Sequence, residues 1–470
     1  MFRDHHLDWF LDFEEQARPR LFSGEQIVML NRLEAEHDNF RAALAWSMET
    51  AVEKGLRLAA GLHRFWRLRG YWFERLDWLK KLLAQPGALT PTLMRAYALV
   101  VCGDLELSQG EYADAEKSFT ESLQIYRQLG DEEGIAEALG ELARLSIQQG
   151  NFLRAGELSQ ESLEISCKTG NKFQTSQALN RLAHVLSRQG DQTRANELLK
   201  ESVTLFSQMV DMGTIQDFFA SPESQNAYFS LASSEQDRGN FEGARKFFED
   251  GLAFFRRTGS SHEIAWFLRY LANLSWREGD LAGAQTLYQE GLQIVQALKD
   301  KYCTAHTLDG LAQVENGKGN TEQAVSLARQ ALKLCEQVGS KPRIAKVQST
   351  LGLAMLHTDP SGAEEMLKSS LTVRNQLRNK SDIAESLEAL AKMNSFGGAF
   401  EHATKLFAAA SVLREAISFA MTPAESSESD RDLSDLRAEL GDEAFNAAWD
   451  EGRTMSWEQA TKLALAEISV

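Results

Sequence analysis

The sequence predicts an all-α solenoid of tandem helix pairs. Two observations predict it: a turn signal that recurs about every forty residues, and small and large apolar residues at fixed offsets around each turn. A third agrees with them. Only 7 of the 470 residues are Pro, and good helix formers (Ala, Leu, Glu, Gln, Arg) dominate.

The turn signal is Gly, often followed by Asp or Asn, with Ala five residues after the Gly. It runs Gly110…Ala115, Gly150…Ala155, Gly190…Ala195, Gly239…Ala244, Gly279…Ala284 and Gly319…Ala324, with variant copies at Asp359…Ala363 and Gly398…Ala403. Successive alanines differ by 40, 40, 49, 40, 40, 39 and 40. Twelve residues before the alanines stand Gly103, Ala143, Ala183, Ala232, Ala272, Ala312 and Ala391; Gly352 fits with one residue missing from its turn. Leu precedes most of these small residues, Cys102 being the exception.

Each position has a physical role. The small residue lets a second helix come close, and the Leu fills the space beside it. Gly ends the first helix in the left-handed conformation, and Asp or Asn caps the second. A later apolar residue, such as Phe119, Leu199, Phe248, Tyr288, Leu367 or Phe407, completes the interface. This pattern resembles the tetratricopeptide repeat over roughly 52–420, with about nine pairs if a degenerate one around Gly70 is counted. The family repeat is about 34 residues long. The extra residues are expected to lengthen the helices and the loops near Gly130-Asp131 and Gly170-Asn171. Such pairs stack into a right-handed superhelix with a concave groove.

Three segments follow: a helical cap or linker over 1–50, the array over 51–420, and a helical cap over 421–470. The 49-residue interval holds Met209 to Phe219, read either as a longer helix or loop or, through Phe218-Phe219, as a binding element. Two amphipathic helices are expected near 8–13 and 30–46, and Ser456 with Gln459 reads as a capping box. Trp9, Phe10 and Trp457 serve either as cap contacts or as docking surfaces.

Leu33 to Trp46, Phe65 to Gly70 and Leu440 to Ser456 resemble segments of bacterial STAND-class ATPase transcriptional regulators, which places the resemblance across essentially the whole chain. In that family the array is a sensor arm coupled to an ATPase and an output domain. The resemblance implies a regulatory role and an ATPase or winged-helix domain in cis or in trans. The chain has no Gly-x-x-x-x-Gly-Lys-Ser/Thr and no helix-turn-helix, so ATPase and DNA-binding activity do not carry over. It is expected to be a C-terminal fragment or a stand-alone relative.

A net charge of −17 opposes direct binding to nucleic acid. Cys102, Cys167, Cys303 and Cys335 form no zinc spacing and read as small buried thiols. No apolar run of membrane-spanning length exists, and the charged start reads as no signal peptide; the expected location is cytoplasmic. No catalytic motif is found, so neither enzyme activity nor a cofactor is expected. His5-His6 is read as solvated, and no metal is expected.

The leading helix of each pair should line the groove. Positions just after the small residue, and three or four before it, give Arg144, Asn180, Arg181, His184, Phe229, Arg269, Asn273, Asp309 and Gln313. One turn further lie Arg188, Trp266, Trp276 and Arg277. Five arginines in an acidic chain, with Asn and aromatic neighbours, point to a protein or peptide ligand of acidic character. The competing reading pairs those arginines with Glu137, Glu141 and Glu278 and packs the aromatics between repeats. The expected function is a sensor or scaffold in signalling or transcription regulation, the alternative an assembly scaffold bridging subunits.

Overall fold

The structure is a computed structural model that describes residues 2–22, 25–69, 71–209, 232, 241–417, 421 and 423–466. Among these residues there is no strand. Six helices come first: α1 (Phe2–Ala17), α2 (Gln26–Ala35), α3 (His37–Thr50), α4 (Val52–Gly61), α5 (His63–Arg69) and α6 (Trp72–Leu83). Regular pairs follow: α7 (Leu93–Gln109) with α8 (Tyr112–Leu129), α9 (Glu132–Gln149) with α10 (Phe152–Thr169), and α11 (Lys172–Gln189) with α12 (Gln192–Met209). After α13 (Phe241–Thr258) come α14 (Ser261–Arg277) with α15 (Leu281–Ala297), α16 (Lys301–Gly317) with α17 (Thr321–Val338), α18 (Lys341–Met355) with α19 (Pro360–Gln376), and α20 (Lys380–Phe396) with α21 (Phe400–Ala416). The tail is α22 (Pro423–Leu440), α23 (Asp442–Thr454) and α24 (Trp457–Leu465).

The expected turn chemistry is present. Gly110, Gly150 and Gly190 close their helices at φ 80°, 80° and 91°. Asn151, Asp191, Asp280 and Asp359 each cap a second helix by accepting a backbone N–H three residues on, and Asp131, Asn171, Asp300 and Asn379 cap leading helices in the same way. The capping box at Ser456 and Gln459 is complete. The extra residues lengthen the helices, most of which run 17 or 18 residues.

Small and large residues interlock as expected. A Cβ on Gly103 would lie 2.6 Å from the Phe119 ring, and one on Gly352 would lie 2.7 Å from Leu367. A further contact recurs: Ser122 donates to the Ala96 carbonyl, and Ser162 to that of Ala136, both at 2.8 Å. Each of these serines lies seven residues after the turn alanine, where later repeats carry Gly251, Gly291, Ala331, Ser370 and Ala410.

Successive superhelical turns touch. Arg67 reaches Glu263 at 2.6 Å, Ser340 Oγ donates to the Gln148 carbonyl at 3.1 Å, and Arg188 lies 3.4 Å from Asp382. The sequence separations are 196, 192 and 194. Each contact joins the end of one leading helix to the start of a leading helix a full turn later. Gly110 packs on Val338 at the same seam.

Some expectations change. The run from 30 to 46 is two helices broken at Glu36 (φ −100°, ψ 7°). Cys167 is exposed, because it lies on the outer face of α10, whereas the other three thiols are buried. Phe10 is buried in the N-terminal core, while Trp9 is 54% exposed. The interval from 210 to 219 and Phe229 lie outside the described residues. None of the described helices is long and apolar enough to cross a membrane.

Candidate functional site on the inner wall

Helical periodicity decides which side chains face inward. From the small residue of each leading helix, the inner wall falls one position after it and two and six positions before it. On α9 these are Arg144, Glu141 and Glu137; on α11 they are His184, Arg181 and Gln177. Between α5, α7, α9 and α11 the wall encloses a cavity of about 260 Å³. It is lined by His63, Arg64 and Arg67 of α5, Tyr97 of α7, Glu137 and Glu141 of α9, and Phe173, Gln174, Gln177 and Arg181 of α11, with Ala136 and Ser162 behind them.

Charges on the wall are linked from repeat to repeat. Arg144 lies 2.5 Å from both Asp104 and Glu141, and Arg181 lies 3.0 Å from Glu141. Burial alone would raise the Asp104 carboxyl, but Arg144 and Arg75 beside it hold it well below its ordinary value. Arg75 is completely buried and 3.9 Å from Asp104, and its guanidinium nitrogens have no hydrogen-bond partner. Burial lowers it to about 10.

Glu137 stands apart. Among the described residues its carboxylate accepts no hydrogen bond and joins no ion pair, although it faces the cavity beside Arg181. Burial, with the Glu141 charge added, pushes it up to about 7. Burial and then Arg75 hold His63 well below its ordinary value, so the ring is neutral. Its Nδ1 has no partner.

Of the described residues expected in the groove, Arg181 alone lines this cavity. Arg144 is held by its carboxylates behind it, and Arg188 is drawn to the seam by Asp382. His184 is exposed and accepts from Arg188 Nε at 3.3 Å. Asn180 Oδ1 is buried without a partner. The others form a second group on α14 and α16. Arg269 contacts His306 Nε2 at 2.9 Å and lies 4.1 Å from the Tyr270 ring centroid and 5.5 Å from that of Trp266. Asn273 bonds Tyr288. Gln313 donates to Asp309 at 3.1 Å, and Arg277 lies over Phe241 at 5.8 Å. Arg269 and Asp309 are only 8% and 2% exposed, because three positions before the small residue is the junction with the next helix. Of the competing pairings, Glu141 takes Arg144 and Arg181, Glu278 takes Arg245, and Glu137 takes none.

His63, Arg64, Arg67, Tyr97, Glu137, Gln174 and Gln177 were not expected on the wall. The available signal was the position six before each small residue, which carries Tyr97, Glu137, Gln177, Trp266, His306 and Glu385. A further acidic trio, Glu106, Glu111 and Asp114, is bridged at its two glutamates by Lys80 at 3.1 and 3.2 Å.

Stacked helix pairs with a polar inner wall define a repeat solenoid, an architecture that presents an extended concave surface. The chain is a tetratricopeptide-repeat α-solenoid: that repeat family matches residues 94–168, 134–208, 263–337 and 303–376. No curated protein matches in sequence. Among solved structures, a Rap protein complexed with Competence and Sporulation Factor shares the fold at TM-score 0.55 and 14% identity, over 79% of this chain and 99% of that one. A STAND ATPase with a tetratricopeptide repeat sensor from Pyrococcus horikoshii is similar at TM-score 0.40 and 16% identity, over 82% of this chain and 54% of that one. A Rap conjugation gene regulator of plasmid pLS20, in complex with the Phr* peptide, is similar at TM-score 0.48 and 14% identity, over 80% and 96%.

Proposed function

We propose that the inner wall of α5, α7, α9 and α11 binds a protein or peptide segment, and that the chain is the sensing arm of a signalling or transcription regulator. The observation that carries this reading is the cavity with the Glu137 carboxylate facing it unpartnered. The carboxylate is half-buried and open to the cavity, so a cationic group of a ligand lodged there would give it the partner this chain does not. The Rap protein of similar fold is seen with Competence and Sporulation Factor, and the reading extends ligand binding of that kind to this chain.

The charge of the ligand follows from what the wall has already neutralised. Arg144, Arg181 and Arg188 each face a carboxylate of this chain, which weakens the case for an acidic partner. Glu137 favours a segment that brings an ammonium or guanidinium group. The test is a randomised octapeptide library with free amino termini, selected on the wild-type chain, Glu137→Gln and Arg181→Glu. The reading expects enrichment of peptides with a basic or amino-terminal anchor on the wild type, and loss of that enrichment in Glu137→Gln. Identical selections by wild type and both variants would refute it.

A further inference from the structure

His262, Asp300 and Cys303 converge at the junction of α14 and α16, outside the cavity described above. Their donor atoms lie within 4.8 Å of one another, and His262 Nε2 is 3.3 Å from Asp300 Oδ2. That spacing matches the N···O edge of a tetrahedron with metal bonds of about 2.0–2.1 Å. Asp300 Oδ1 is occupied by the Cys303 N–H at 2.8 Å, which leaves Oδ2 for an ion. The Cys303 side is apolar, packed with Ala265, Val295 and Trp266. The side chains of His262 and Asp300 remain 18% and 10% exposed, which gives an entry path.

Helix capping accounts for Asp300 but not for its neighbours. Asp131, Asn171 and Asn379 cap equivalent helices by accepting N–H groups of Gly134, Gln174 and Asp382, so the cap needs no thiol. The same junction recurs along the array. One repeat later it brings Tyr302 and Arg343 into a hydrogen bond, and nearer the start of the array, between α9 and α11, Gln174 donates to the Glu133 carbonyl. At α14 and α16 the repeat places a thiol, an imidazole and a carboxylate in this recurring contact, a donor set suited to zinc.

We propose that His262 Nε2, Asp300 Oδ2 and Cys303 Sγ bind a zinc-class divalent ion, with water in the fourth position. Binding replaces the thiol proton by a metal–sulfur bond and releases that proton to solvent. Two negative ligands then balance the dication, so a neutral complex sits between the two helix starts. The ion joins two successive repeats one residue from Glu263, and so braces the seam contact with Arg67. The proposal is independent of peptide binding.

The test is a cobalt(II) titration of the reduced, metal-free full-length chain. Wild type should bind one equivalent with a near-ultraviolet sulfur-to-cobalt band and the strong visible bands of four-coordination. Cys303→Ser should lose the near-ultraviolet band while circular dichroism shows an intact array. Cys167→Ser should keep it, and His262→Ala should weaken binding at least about tenfold. Absence of the band from wild type, or its persistence in Cys303→Ser, would overturn the proposal.

Discussion

Arg67 on α5 and Glu263 on α14 are 196 residues apart in sequence and 2.6 Å apart in space, with Glu263 only 7% exposed. Burial would raise the Glu263 carboxyl, but Arg67 outweighs it and holds the group below its ordinary value. Arg67→Met should therefore destabilise the chain by on the order of 3 kcal/mol, since it strands a buried charge. A depressed carboxylate stabilises the fold above its unfolded pKa, and that stability is lost as pH falls through the folded value. The gap between variant and wild type in urea denaturation should thus be full at pH 7 and shrink in acid. A difference under about 0.5 kcal/mol at pH 7 would show the seam contributes little.

Glu137 has the opposite sign. Its pKa is pushed up to about 7 by burial and Glu141, so its contribution is intact below the unfolded value and is lost as pH rises through 7. Glu137→Gln should match wild type near pH 4 and exceed its stability by on the order of 2 kcal/mol at pH 8. Denaturant midpoints at the two pH values decide this.

Arg75 and Asp104 give a paired prediction. Arg75 is buried without hydrogen-bond partners, so Arg75→Met should be neutral or stabilising by up to about 2 kcal/mol. Asp104→Asn instead removes the counter-charge of buried Arg75 and one of the two carboxylates on Arg144, and should cost roughly 3 kcal/mol. Equal effects of the two substitutions would disprove the asymmetry.

Gly110 and Gly130 share a left-handed backbone, at φ 80° and 71°. A Cβ at Gly130 meets nothing, but one at Gly110 lies 2.7 Å from Val338, which is itself buried. Gly130→Ala should cost about 1 kcal/mol from backbone strain. Gly110→Ala should cost at least about 1 kcal/mol more, from the clash across the seam. Thermal denaturation of both variants measures the difference.

The pairs, their turns and the Gly103–Phe119 contact were legible because each is set within one forty-residue unit. The seam was not, since it depends on a small rotation per repeat added over several repeats. The wall was legible in part. Arg181 lines the cavity, but Arg269 and Asp309 lie one helical step away, inside the junction. His63 and Arg67 escaped because α4 and α5 form a leading helix interrupted at Leu62, which blurs the repeat. His262 and Cys303 form no local metal spacing; stacking alone brings together two residues 41 positions apart.

The touching turns have a consequence for the number of units. In an open spiral one unit can be duplicated or deleted, and the rest simply shift along. Here Ser340 must come to rest against Gln148, and Asp382 against Arg188. Inserting a single unit between them would keep every neighbouring pair content yet throw all of these meetings out of phase. The coil thus counts its own members.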